Sequence, residues 1–244
     1  MLLNKNTKMA EVIHVNYLVL PILERFDIQL GFGDKTIREV CSDRNVNVDF
    51  FLEIINSFND HHYFPEAQFK TFPLRSIIQY IQKSHNYYLD NKIPQIESLI
   101  QKLKDLSEVS QKEQVELIEK FFQEYKDEII IHIQNEENDV FPYILTIDDA
   151  ISEQRIDESL KKLVHERSIK YFIDTHTNIE DKLYDLKNII IKYLPPAKDH
   201  TISNALLFEL FRLERDLNDH ARMEDKVLAP KVQYLESQIL DDPK

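Results

Sequence analysis

Glycine is almost missing from this 244-residue chain, which has two. Hairpin turns and many helix ends in β-rich folds use glycine for positive φ angles. The shortage argues against sheets and for an all-helical protein. Cysteine is nearly missing too. Cys41 stands alone, which excludes an intrachain disulfide and a cysteine-based zinc site and points to a reducing, cytoplasmic location. No run approaches the ~18 apolar residues of a membrane span. The opening MLLNKNTKMAEVIH lacks the apolar stretch of a secretory signal. Positive charge is scarce and unclustered. With 30 Lys and Arg against 43 Asp and Glu, the net charge of −13 would repel a nucleic-acid backbone, and no basic stripe offsets it. Neither nucleic acid nor a membrane is an expected partner.

What is present suits amphipathic helices: 43% hydrophobic and 30% charged residues. Three short helices are expected before residue 60. AEVIHVNYLVLPILERF should kink or restart at Pro21. Gly31 and Gly33 make a turn, and Asp34 or Thr36 can cap the helix after it. VNVDFFLEIINSF is the third. NDHHYFPEAQFKTFP, polar and aromatic with Pro65 and Pro73, reads as a linker. This gives a small domain over 1–60, a linker over 61–73 and a main domain over 74–244. The main domain carries four long helical patterns, with a kink expected at Pro94 and a stop before Pro195 and Pro196. Long helices with short connections indicate an antiparallel four-helix bundle. The connection near 146–160 is longer and has room for an extra helical turn.

Nine histidines are present. By chance roughly one H-x-x-x-E would be expected. The chain has His62/Glu66, His132/Glu136, His176/Glu180 and His220/Glu224. On a helix, residues four apart lie about 40° apart on one face, so an imidazole and a carboxylate at that spacing can serve one centre. His62/Glu66 encloses Pro65 and lies in the linker, which reads as coincidence. Any single helical histidine is more simply a solvated or hydrogen-bonded side chain. Distribution changes that: His85, His132, His176 and His220 fall one on each long helix. With Glu136 and Glu224 they make a dinuclear non-haem ligand set, which bundle cores host. Nitrogen and carboxylate ligands suit iron or manganese. Two carboxylates and a bridging oxide would offset most of the charge of two ferric ions. Glu137 points about 140° from His132, which suits a solvated or outer role. Glu180 is an open candidate for a third carboxylate. His165, three turns before His176 on a similar face and about 16 Å away along the axis, cannot share the metal. His14, His61 and His200 sit near helix ends or in the linker.

The pattern H-x-x-x-E-E…F-P, a later His, then H-x-x-x-E…V-L-x-P resembles the hemerythrin-like domain of the repair-of-iron-centres proteins. These are bacterial di-iron proteins tied to nitrosative and oxidative stress. HIQNEENDVFP at 132–142 and HARMEDKVLAP at 220–230 carry the resemblance most strongly. SHNYYLDNKIPQIESL resembles the family's first-ligand segment, and DTHTNIEDKLYDLKNIIIKYLPP its third. The resemblance implies two iron ions in an oxo-bridged centre held by His85, His132, Glu136, His176, His220 and Glu224. ILERFDIQLGFGDKTIREVCSDRNVNVDFFLEIIN resembles the family's small N-terminal domain. Two departures stand out. The family usually has two adjacent cysteines before the glycine of the first turn, where this chain reads Gln29, Leu30, Gly31. Thr175 replaces a frequent Glu before the third histidine.

The resemblance implies repair of, or iron supply to, damaged iron–sulfur or other iron centres, with damaged iron–sulfur proteins as clients. The rival readings are an O2- or NO-binding sensor or carrier, a reductase of NO or peroxide at the same centre, and a bundle with purely structural histidines. Whether the protein is an enzyme, and whether it is a monomer or a homodimer, are open at this point.

Overall fold

The computed structural model describes residues 2–170, 172, 179–195 and 200–241. They are helical, and among the described residues the only β-type pairing is an isolated bridge between Lys8 and Thr36. The chain gathers into two compact units, Met1–Ser84 with Lys226–Leu228, and His85–Asp225 with Ala229–Lys244.

The first unit holds α1 (Met9–Val15), α2 (Leu20–Arg25), α3 (Ile37–Asp43), α4 (Val48–Asn59), the short α5 (Glu66–Phe69) and most of α6 (Leu74–Tyr87). The first expected helix is divided. Asn16 breaks it and accepts a hydrogen bond from the Leu18 amide, and Pro21 opens the second half. Proline is tolerated there because first-turn amides have no intrahelical partner. Thr36 caps α3 in a capping box with Glu39. The stretch expected as linker contains α5 and buries Phe69 and Phe72. These rings pack with Phe50, which meets Phe26 and Tyr80 in turn. Cys41 is buried in this core, and burial pushes its thiol up to about 12, so it packs rather than reacts.

The second unit is the bundle. α7 (Ile93–Leu106), α8 (Lys112–Asn135), α11 (Ile179–Tyr193) and α12 (Thr201–Met223) each pack against two of the others, in the cyclic order α7, α8, α11, α12. Apolar spacing explains this. Leu206, Leu210, Leu213 and Leu217 repeat every three or four residues on α12, as do Ile96, Ile100 and Leu103 on α7. That spacing places a continuous stripe on one face.

The α8 chain runs on into α9 (Phe141–Ser152), and the α12 chain into α13 (Ala229–Leu240). The connection expected near 146–160 is mostly helix instead: α9 reaches Ser152, and α10 (Glu158–Arg167) begins six residues later and packs with α9 on α13. The expected third long helix is therefore interrupted: Ser168 adopts φ −51°, ψ 143° after α10. Glu236 of α13 ties this corner together. It accepts hydrogen bonds from the Tyr143 hydroxyl at 2.5 Å, the Ser168 hydroxyl at 2.9 Å and the Ile169 amide at 2.7 Å. Among the described residues no helix is long and apolar enough to cross a membrane.

Candidate metal centre

Among the described residues, three of the long helical arms contain one π-helical turn: Tyr88–Lys92, Glu136–Val140 and Glu224–Leu228. Each precedes a proline, Pro94, Pro142 or Pro230, two residues past the turn. Proline has no amide hydrogen, and its ring clashes with the carbonyl four residues back. Widening the turn relieves that clash, and π turns are frequent at functional sites. The Phe141 amide bonds the Glu136 carbonyl, and the Ala229 amide bonds the Glu224 carbonyl, five residues back in each case. Both glutamates of the duplicated motif thus open a widened turn.

The side chains of His85, Glu136, His220 and Glu224 converge. One ligand atom from each lies within 4.8 Å of all the others, and all four residues are buried. His85 Nε2 is 3.0 Å from Glu136 Oε2 and 3.2 Å from His220 Nε2. His220 Nε2 is 2.9 Å from Glu224 Oε1. His132 Nε2 lies 3.3 Å from the other Glu136 oxygen, Oε1, and its side chain is 15% exposed. Glu136 therefore turns one oxygen toward each of two imidazoles, the arrangement a bridging carboxylate needs.

Aromatic rings fix the imidazoles. Phe141 stacks on His85 with centroids 5.8 Å apart and planes 9° apart. Tyr88 meets His220 edge-on at 5.6 Å. The second nitrogen of His85, Nδ1, is 2.7 Å from Glu137 Oε1. Burial disfavours a charged His85, but its bonds to Glu136 and Glu137 outweigh that and hold its pKa up at about 9. The metal-free ring thus carries protons on both nitrogens, because the carboxylates facing them only accept. Burial also pushes the Asp219 carboxyl, one residue before His220, up to about 6, although Arg222 beside it pulls the other way.

This donor set fits a metal ion. Two imidazole nitrogens and two carboxylates converge on one buried point, and such a cluster needs a cation, whether proton or metal. Nitrogen and carboxylate oxygen without thiolate suit iron, manganese or zinc.

Of the expected ligands, the structure brings His85, Glu136, His220 and Glu224 into one group and sets His132 beside Glu136. His176 and the side chain of Glu180 lie outside the described residues. His14, His61, His62, His165 and His200 are exposed. Sequence reasoning allowed Glu137 an outer role but did not identify His85 as its partner. It treated the helix as regular, and the signal that could have found it is Pro142, which forces the turn to widen.

A helical bundle with histidine and glutamate side chains gathered in its interior defines a class of cation-binding proteins. The hemerythrin HHE cation binding domain matches residues 77–232, and the chain belongs to that family. It is similar over nearly its whole length to the iron-sulfur cluster repair protein ScdA of Staphylococcus haemolyticus, with 21% identity over 223 residues, 91% of this chain and 96% of the relative. ScdA of Staphylococcus epidermidis is likewise 21% identical over 201 residues, 82% of this chain and 85% of the relative. The resemblance to the repair-of-iron-centres family read from the motifs is borne out by these matches.

Proposed function

We propose that the chain is a di-iron protein of the stress response that repairs, or supplies iron to, damaged iron–sulfur or other iron centres. The observation that carries this reading is the buried convergence of His85, Glu136, His220 and Glu224. In this reading His85, His132, His176 and His220 are the imidazole ligands, and Glu136 and Glu224 are the bridges. The two oxygens of Glu136, directed at His85 and His132, support a bridging role. Residues 74–244 would hold the iron, 1–60 would be a small domain, and 61–73 would connect the two although Phe69 and Phe72 pack on Phe50.

Bound iron would supply a redox-active cation that these ligands hold less tightly as ferrous ion, which sits low in the divalent affinity order. The chain's own part is to keep that cation buried and to fix its ligands. Phe141 and Tyr88 hold the rings of His85 and His220 in place. The staphylococcal relatives are described as iron-sulfur cluster repair proteins, which makes damaged iron–sulfur proteins the proposed clients and the cytoplasm the proposed setting.

The test uses an iron–sulfur enzyme inactivated by peroxide or NO. Added iron-loaded protein should restore its activity, and the Glu136→Ala variant should not. A protein that holds its iron, restores nothing and keeps both ions from a ferrous chelator after reduction would instead be a carrier or sensor of O2 or NO.

A further inference from the structure

His85 is gripped on both ring nitrogens by consecutive residues of one turn. Nε2 faces Glu136 at 3.0 Å, and Nδ1 faces Glu137 at 2.7 Å. In a regular α-helix neighbouring side chains diverge by about 100°, too far to reach one ring from both sides with ease. The π turn that starts at Glu136 spreads its circuit over more residues, so the two carboxylates diverge less. Phe141, which follows the same turn, lies flat on the ring. The segment Glu136–Phe141 therefore holds the proton on Nδ1 and fixes the tilt and the direction of the His85 imidazole.

We propose that Glu137 is a positioning residue for His85. Its carboxylate can only accept, so Nδ1 must donate and Nε2 is left facing the cluster. Its negative charge also strengthens the donor power of Nε2 toward a metal, as carboxylates behind ligating histidines do. The imidazole is 1% exposed and the Glu137 side chain 30%, so the bond is partly shielded from water, unlike a surface ion pair. Glu137 is not a member of the converging group; it sits behind the ring. The proposal rests on the metal-binding part of the function above and not on repair.

The experiment compares iron content, the reduction potential of the bound iron and helicity in the full chain and in Glu137→Gln, Glu137→Ala and the control Glu124→Ala, an exposed position on α8, which leads into the turn. Gln can still accept from Nδ1 but has no charge. Glu137→Gln should keep its iron and show a raised potential, because a weaker donor stabilises the ferric state less. Glu137→Ala should stay helical and bind iron on the order of 10–100-fold more weakly. Glu124→Ala should match the unaltered protein. If both Glu137 variants match it in iron content and potential, Glu137 is a solvated carboxylate and the proposal is wrong. If Glu137→Gln loses iron as completely as Glu136→Gln, Glu137 is a ligand and the positioning role is equally wrong. An unaltered chain that takes up no iron would overturn the metal reading itself.

Discussion

Burial separates the histidines residue by residue. His85 and His220 are 1% and 8% exposed, His132 lies at the edge of the cluster, and the other described histidines face solvent. Replacing Glu136 or Glu224 with Ala should therefore remove most of the iron, and replacing His62, His165 or His200 should remove almost none, read by metal analysis. Iron loss in His165→Ala as large as in Glu136→Ala would show the ligand set to be wrong. The pKa of His85 gives a second expectation, for the metal-free protein. It is raised from 6.5 to about 9. A raised folded-state value means that the stabilisation is complete below about 6.5 and is lost as pH rises through about 9. Urea midpoints of the metal-free chain should fall across that window, and those of His85→Gln should fall less. Equal slopes would mean that His85 is not held charged by Glu136 and Glu137.

Helix ends show how a chain so poor in glycine stops its helices. Asp27, Asn45 and Gln154 take φ values of 54°, 54° and 55° just past α2, α3 and α9. Each is followed by an amide that reaches back five residues, as Arg155 does to the Ala150 carbonyl at 2.8 Å, the usual left-handed helix stop. Asp and Asn tolerate that conformation, whereas Gln does so at a cost of about 1 kcal/mol. Gln154→Gly should raise stability by roughly that amount in chemical denaturation, and a loss would mean that its side chain makes a contact worth more than the strain. The π turns make a different demand. Pro142→Ala removes the clash that widens the turn at Glu136, so iron binding should weaken on the order of tenfold while helicity is kept. Unchanged iron affinity would show that packing, not proline, sets the turn. These elements also mark what could be read in advance. The stripe Leu206, Leu210, Leu213, Leu217 and the His/Glu pairs at four-residue spacing follow the 3.6-residue period, so the bundle and the candidate ligands were legible. The bond from Glu137 to His85, the breaks at Asn16 and Ser168 and the knot at Glu236 depend on local exceptions to that period or on contacts distant in sequence, which no periodicity encodes.

At the scale of the whole molecule, a strongly acidic chain, at −13, places buried carboxylates and imidazoles inside a bundle whose apolar core would be cheaper without them. Burying such groups destabilises a fold unless a cation pairs with them, so the site reads as a place for metal rather than a structural device. The family match over residues 77–232 covers the arms that carry this site. The most direct test is the metal content of the untagged protein purified from iron-replete cells. A di-iron centre requires about two iron ions per chain, lost together when Glu136 is replaced by Ala. One zinc per chain with no iron, or no bound metal at all, would contradict it.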